Sequence, residues 1–240
     1  MKNITKFALF LPVSVVLIWL IKELYDVLDI HWTNGFTLQY ILIFYLLAYA
    51  VSSPNRPLMQ RIFMVLGGVF CLVGDTFLAN ALSNHFTLGG LKMPLGIAGF
   101  FIGHTFWFFA FLQFRDQTTK KRLIYSFSIV FGTMIVLWFL LINQNFNLLS
   151  ILALIYCVAL GTPLSYAIAH SKNNFSYKML AVFYGIFIFS DLLIGMKDIR
   201  GYDIPMVGFI IWFTYIIALS GITYVLVSYQ GANDAKESNS

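Results

Sequence analysis

Charged side chains are scarce in this 240-residue chain: Asp, Glu, Lys and Arg together make up 10% of the residues, whereas apolar types make up 60%. Soluble domains carry about a quarter charged residues, so this chain has too few to cover a water-exposed surface. The scarcity excludes a soluble globular protein. The composition instead indicates a protein solvated by lipid, where backbone groups must be satisfied internally and spanning segments are helices or closed barrels.

The sequence motifs of metal sites and of common hydrolases are also missing. There is no H-E-x-x-H, and His31, His85 and His170 fall in predicted loops or at a span end, so we expect no metal and no cofactor. A G-x-S-x-G motif and a glycine-rich phosphate loop are absent, which argues against serine hydrolase and nucleotide chemistry. Cys71 and Cys157 fall in different predicted spans, and we expect two free thiols.

What the chain does contain is a series of apolar runs of helical length. A helix needs about 20 mainly apolar residues to cross a bilayer. We predict eight transmembrane helices, at 7–25, 37–52, 62–82, 93–113, 123–142, 148–169, 179–196 and 205–229. The loops between them are too short for a soluble domain, so the prediction is an all-α polytopic membrane bundle over 1–230 and a disordered polar tail over 231–240. No small-x-small cleavage site follows the first run, which we expect to be retained.

The cations are distributed unevenly around these spans. With the N-terminus in the cytoplasm, most of the 15 Lys and Arg residues fall on the cytoplasmic side, and the outer side holds Lys22, Lys92, Lys197 and Arg200. The positive-inside rule therefore predicts a multi-pass cell-membrane protein with both termini cytoplasmic. The net charge of +5 reflects this topology, and the cations form no basic, aromatic-interleaved face, so we expect no nucleic-acid partner.

Two acidic residues fall well inside predicted spans, whereas Glu23 lies at the end of the first span. Asp75 lies in the span 62–82 and Asp191 in the span 179–196, and these two spans run in the same direction. By helix rise, each carboxyl lies about 20 Å from the cytoplasmic edge of a hydrocarbon core about 30 Å thick. The matching depth predicts that the two aspartates, both in the outer half of the membrane, share one site.

Burial in lipid makes these two carboxyl groups informative. A carboxylate near the bilayer centre costs roughly 2.5–3.5 kcal/mol even on the lenient insertion scale. Two like charges in a poorly hydrated cavity cannot both ionise easily, so we expect one protonated acid beside one carboxylate. Such a pair supplies a general acid and a general base. The alternative is that each aspartate only forms a hydrogen bond to a neighbouring helix and holds the bundle together.

Other polar groups are predicted to lie near this pair. His104 is the only histidine well inside a predicted span, one or two turns deeper than the aspartates. It is a candidate proton shuttle, or a partner that keeps one aspartate ionised; the alternative is a buried histidine bonded to a backbone carbonyl. Tyr156 and Tyr215 are placed to offer hydroxyl groups inside the bundle. Gly74 and Gly103 belong to small-residue patterns that let helices approach closely.

These residues occur in an order that resembles a known family. The motifs are, along the chain, Gly74-Asp75, Gly96 with Phe100 and His104, Tyr156, Gly185 with Phe189, Ser190 and Asp191, and Tyr215. Together with the eight predicted spans, this order is similar to that of the YhhN family of lysoplasmalogenase-like membrane proteins. The resemblance covers nearly the whole chain.

The resemblance implies an enzyme that hydrolyses the vinyl ether bond of a lysoplasmalogen, giving a fatty aldehyde and a glycerophospho-ethanolamine or glycerophospho-choline. Protonation of a vinyl ether at its β-carbon gives an oxocarbenium ion that water attacks, which suits two carboxyl groups acting as acid and base. We expect Asp75 and Asp191 to fill these two roles, without assigning which is which. Supporting roles are expected for His104, Tyr156, Tyr215 and Ser190.

The partners implied by the resemblance are a lysophospholipid substrate and the surrounding membrane lipids. Because the aspartates are predicted in the outer half of the membrane, the candidate contacts for the substrate phosphate are Lys92, Lys197 and Arg200. The alternative function is a proton-coupled transporter of small molecules or lipids, in which the aspartates relay protons. The similar contexts of the two aspartates suggest a weak parallel repeat, as in some transporters, but no predicted span is clearly broken in its middle.

Overall fold

The computed structural model describes residues 56–79, 88–114, 118–143, 145–172 and 174–229, together with the positions 20, 42, 43, 46 and 50. This part of the chain forms helices and no strands. Six helices are long and apolar enough to cross a membrane. They are α1 (Leu58–Leu78), α2 (Lys92–Leu112), α3 (Lys120–Leu137), α4 (Leu148–His170), α5 (Phe175–Ile194) and α6 (Val207–Ser228).

Three shorter segments extend these helices. A 3-10 turn at Gly89–Leu91 leads into α2. Two π-helical segments, Trp138–Ile142 and Gly195–Ile199, continue α3 and α5. Pro163 lies inside α4, but the helix runs through it without interruption.

The all-α class and the membrane-spanning character predicted from the sequence are confirmed, and α1 to α6 correspond to the last six predicted spans. The predicted spans 7–25 and 37–52 and the tail 231–240 lie outside the described ranges, so the total of eight helices stays a prediction. Helices of this length also occur in the cores of soluble proteins. The continuous apolar composition of the six described helices indicates a lipid environment.

The first described helix differs from its predicted position. The predicted span was 62–82, whereas α1 begins at Leu58 and ends at Leu78. Pro57 precedes it, and proline is tolerated at the start of a helix because the first amide groups have no intrahelical acceptor. Arg61, which hydropathy placed outside the span, lies in the helix and donates to the carbonyl oxygen of Ala50 at 2.7 Å. Asp75 consequently lies in the last turn of α1.

Polar loop residues determine where three helices begin. The side chains of Thr119, Asn147 and Asn174 accept hydrogen bonds from the backbone at the starts of α3, α4 and α5. Each of these caps satisfies an amide group that has no partner within its helix. The short polar stretches between the apolar runs therefore act as helix starts as well as connections.

Helices α1 and α2 pack together through glycine. Trp107 on α2 lies over Gly67, where an added Cβ would overlap the indole ring, and its Nε1 donates to the carbonyl oxygen of Met64 at 3.1 Å. Gly74, the residue directly before Asp75, faces Gly99, and a Cβ added to Gly99 would lie 2.7 Å from the Gly74 Cα atom. Such close approach is typical of small-residue packing between membrane helices. It determines where α1 presents Asp75.

The remaining helices are arranged around α4. Helix α4 contacts α2, α3 and α5, and α5 also packs against α6. The buried share of the most apolar 18-residue window is 61% for α6 but 22% for α3. Helix α6 is thus the most enclosed of the six, and α3 is the most exposed.

We expect Gly99→Ala to lower the free energy of unfolding by about 1 to 3 kcal/mol, because the added methyl group would collide with the α1 backbone rather than with a flexible side chain. The measurement is denaturant unfolding of the protein in detergent. The matched control is Gly132→Ala on α3, where no described atom lies within 4 Å of an added Cβ. The control should be neutral or stabilising because alanine favours helix by about 1 kcal/mol. Equal effects of the two substitutions would contradict the close packing.

Candidate active site

Asp75 and Asp191 line one cavity at the end of the bundle where α1 and α5 finish and α2 and α6 begin. Its volume is about 570 Å³, within the range of about 300–1,000 Å³ typical of small-molecule sites. Both aspartates are partly buried. The two acidic residues that the sequence placed at one depth therefore face a common space.

Each of the two carboxyl groups accepts a hydrogen bond from a tyrosine on a different helix. The Tyr156 hydroxyl, from α4, donates to Asp191 Oδ2 at 2.7 Å. The Tyr215 hydroxyl, from α6, donates to Asp75 Oδ2 at 2.6 Å. Both tyrosine side chains are buried. Hydrogen bonds to an ionised acceptor are about twice as strong as neutral ones, so these contacts offset part of the cost of a carboxylate in an apolar surrounding.

Asp191 also borders a second, narrower cavity between α3, α4 and α5. The volume of this cavity is about 70 Å³, and its wall is almost wholly apolar. Tyr156 lies in the same wall, so the hydrogen bond between Tyr156 and Asp191 lies where the two cavities meet. Asp75 borders the wider cavity and is not among the residues around the narrow one.

His104 is fully buried but lines neither cavity. Its Nδ1 atom lies 3.5 Å from the Tyr184 hydroxyl oxygen, and its Nε2 atom has no hydrogen-bond partner among the residues that the structure describes. Aromatic rings surround it, with Phe187 and Trp107 at 4.5 and 5.3 Å between ring centroids. The hydrogen-bonding neighbour of His104 is thus Tyr184, two turns before Asp191 on α5, rather than an aspartate or a backbone carbonyl.

Ser190 connects α5 to α6. Its hydroxyl donates to the Ile211 carbonyl oxygen at 3.1 Å, and the side chain is fully buried outside the cavity. Since Ile211 lies in the cavity wall one turn before Tyr215, this bond fixes Asp191 relative to the tyrosine that holds Asp75. Ser190 therefore positions the aspartate next to it and does not face the cavity.

Two of the three cations expected near the substrate phosphate lie at this cavity. Lys92 and Lys197 line it, and Lys197 pairs with Asp198 at 3.7 Å, with 47% and 40% of the two side chains exposed. This exposure places the pair at the open rim. Arg200 lies elsewhere: it donates to the Asn143 carbonyl oxygen at 2.9 Å and to the Tyr202 hydroxyl at 3.2 Å. Arg200 is not among the described residues that line the cavity, and its expected contact with the substrate phosphate stays a prediction.

Trp212 is a cavity residue that the sequence analysis did not assign to the site. It lines the wider cavity three positions before Tyr215, and its buried Nε1 atom has no partner within the described ranges. The one signal in the sequence is its spacing from Tyr215: residues three positions apart lie on the same face of a helix. Nothing in the composition distinguished this indole from the other aromatic groups of the bundle.

The side chains at the cavity offer carboxyl, phenol, amine and indole groups. Among the residues described, no group of three or more His, Cys, Asp or Glu side chains is arranged to hold a metal ion. Cys71 and Cys157 are both free thiols. The groups that line the wider cavity can therefore donate and accept protons and hydrogen bonds.

The fold and the site together define a polytopic helical membrane protein with two tyrosine-bound carboxyl groups in a shared cavity. The chain belongs to the YhhN family, whose model matches residues 35–226. The match includes both aspartates and both tyrosines. Comparisons with curated proteins and with solved structures gave no significant match.

The hydrogen bond between Tyr156 and Asp191 should appear as a coupling energy. In a double-mutant cycle of Tyr156→Phe with Asp191→Leu, we expect about 0.6 to 1.7 kcal/mol of coupling, the range for hydrogen bonds between membrane helices. The measurement is again unfolding in detergent. The control cycle pairs Asp191→Leu with Tyr125→Phe, since Tyr125 is exposed on α3. A coupling no larger than that of the control would show that the bond is not formed.

Proposed function

We propose that this protein is a membrane hydrolase that cleaves the vinyl ether bond of a lysoplasmalogen, with Asp75 and Asp191 acting as general acid and general base. The products are a fatty aldehyde and a glycerophospho-ethanolamine or glycerophospho-choline. The observation that carries the proposal is that the two aspartates line one cavity, each held by a tyrosine hydroxyl. Membership of the YhhN family supports the same reaction.

The reaction needs one proton held by the pair and one water molecule. The protonated carboxyl group donates to the β-carbon of the vinyl ether, and the double bond becomes an oxocarbenium ion. The carboxylate removes a proton from water as its oxygen bonds to the cationic carbon, so the pair again holds one proton. The resulting hemiacetal releases the aldehyde when its hydroxyl proton passes to the departing glycerol oxygen. Atoms and charge balance without an added reactant.

The pairing of the aspartates suits this chemistry. Two carboxyl groups close together in a poorly hydrated cavity share a proton more easily than they both ionise, and the proton belongs to the pair rather than to one residue. Glycoside hydrolysis uses two carboxyl groups in the same way around an oxocarbenium-like transition state. The tyrosine hydroxyls stabilise whichever carboxyl is ionised and hold its orientation.

The wider cavity suits the polar part of the substrate. Lys92 and Lys197 lie at its wall, with Lys197 at the exposed rim, where a phosphate of a lipid headgroup would arrive. The indole N–H of Trp212 is a further donor in the same wall. The glycerol and phosphate of the substrate would then lie between these groups and the aspartates.

Replacing either aspartate should remove the activity. We expect Asp75→Asn and Asp191→Asn each to lower aldehyde release from a lysoplasmalogen by at least about 100-fold, the usual contribution of a general acid or base. The assay uses purified protein in detergent, with circular dichroism to verify folding. Asp203→Asn is the control, because Asp203 is exposed in the loop before α6. Substantial turnover by either folded active-site variant would exclude the acid–base pair.

The same assay separates the hydrolase from a proton-coupled transporter. A hydrolase turns over in detergent, where no closed compartment exists. A transporter would release no aldehyde there but would move protons in sealed proteoliposomes, and that movement would depend on the two aspartates. Proton movement without aldehyde release would refute the hydrolase.

The phosphate contacts should be visible in the Michaelis constant. We expect Lys92→Gln combined with Lys197→Gln to raise KM at least about fivefold with little change in kcat, because each lost contact is worth about 1 kcal/mol at a partly exposed position. The control is Lys172→Gln combined with Lys178→Gln, at the opposite end of the bundle. An unchanged KM in the first pair would show that the headgroup binds elsewhere.

A further inference from the structure

The narrow cavity beside Asp191 has no assigned role in the reaction described above. It lies between α3, α4 and α5, and its wall includes Leu137, Trp138, Ala153, Tyr156 and Leu160. Among the residues that the structure describes, Asp191 alone lines both cavities. A molecule that occupied both cavities would therefore lie against this carboxyl group.

The polarity of the surroundings changes at Asp191. On one side lies the wider cavity, with Asp75, Lys92 and Lys197 in its wall. On the other side the wall is almost entirely hydrocarbon, and the polar atoms of Tyr156 are already bonded to Asp191. A vinyl ether lysophospholipid changes polarity at the same kind of boundary, because its ether oxygen joins a polar glycerol phosphate to an apolar chain.

We infer that the narrow cavity holds the carbons of the alkenyl chain next to the vinyl ether, so that the reactive bond lies at Asp191 and the headgroup lies in the wider cavity. This inference rests on the proposed hydrolase function. It adds the orientation of the substrate in the site, and it identifies α3, α4 and α5 as the helices that contact the alkenyl chain. The cavity volume of about 70 Å³ is too small for a whole chain, so the distal carbons continue from it between the helices toward lipid.

The physical basis of this selection is shape. Lipid tails are as apolar as the leucine side chains of the cavity, so moving a chain from the bilayer into it gains little hydrophobic free energy. A cavity with a largely apolar wall can accept an apolar group. A narrow space then admits an unbranched chain and rejects a branched or bulky group through overlap with packed walls.

The two π-helical segments meet in the wall of the narrow cavity. Ile142, at the end of the first segment, lies against Gly195, where an added Cβ would be 2.5 Å from the Ile142 Cδ1 atom. Trp138 is fixed by a hydrogen bond from its Nε1 to the Ser150 carbonyl oxygen at 2.6 Å. These contacts make a firm wall near Asp191, which limits how far the chain can shift along the cavity.

A substitution that fills the cavity tests this inference. Ala153→Phe should lower kcat/KM for a lysoplasmalogen of ordinary chain length at least tenfold relative to a substrate whose vinyl ether carries only a methyl group. The ratio is compared with that of Val158→Phe, because Val158 is exposed on the same helix. An unchanged ratio in Ala153→Phe would overturn the chain site while leaving the hydrolase intact. No aldehyde from wild-type protein with any substrate would overturn both.

A second measurement reads the position of the chain without turnover. The probe is a lysophospholipid with a saturated ether, which lacks the cleavable double bond, and with a diazirine on a chain carbon near the ether. Photolysis followed by peptide mass spectrometry should give cross-links to α3 and α4 around Leu137, Ala153 or Leu160. Cross-links confined to Leu78 and Met93, in the wall of the wider cavity, would overturn the inference.

Discussion

The arrangement of this protein depends on the need to satisfy two carboxyl groups inside an apolar bundle. A carboxylate in a membrane interior is costly unless it is hydrogen-bonded. Tyr156 and Tyr215 meet this need from separate helices, so that α4 is joined to α5 and α6 to α1. Each hydroxyl therefore supplies one hydrogen bond to an acid in an apolar surrounding and restrains two helices at the same time.

The residue before each aspartate attaches its helix to a neighbour. Gly74 precedes Asp75 and permits the close contact of α1 with Gly99 on α2. Ser190 precedes Asp191 and bonds to a carbonyl oxygen of α6. In both places a residue that packs against a neighbouring helix directly precedes the acidic residue. The contact between the helices therefore also fixes the position of the carboxyl group. The two short motifs therefore combine a structural and a chemical role.

The two cavities make the site polar on one side of Asp191 and apolar on the other. Cations lie on one side of Asp191, and a narrow apolar space lies on the other. An amphipathic molecule is oriented by such a boundary because its polar and apolar parts each find a matching surrounding. In the proposed hydrolase this boundary would bring the junction of headgroup and chain to the acidic pair.

Much of the architecture could be predicted from the chain alone. Scarce charge and long apolar runs determined the membrane class and the positions of α2 to α6 to within a few residues, because hydropathy is a local property of the sequence. Asp75 and Asp191 stood out for the same reason, as the acids that lipid tolerates least. The predicted start of α1 was too late in the chain. Pro57 favours a helix start, and Arg61 donates a hydrogen bond to a carbonyl oxygen, so the helix extends beyond the apolar run.

Only the tertiary structure decided which groups meet. Tyr215 and Asp75 are 140 positions apart in the chain, and their bond depends on how α6 is rotated against its neighbours. The position of Arg200 away from the cavity, the contact of His104 with Tyr184 and the narrow space behind Asp191 likewise arise between helices. The pattern of apolar residues in the sequence assigns a residue to a helix and to a depth in the membrane. Which side chains meet depends on how the helices pack, because packing brings together segments that are far apart in the chain.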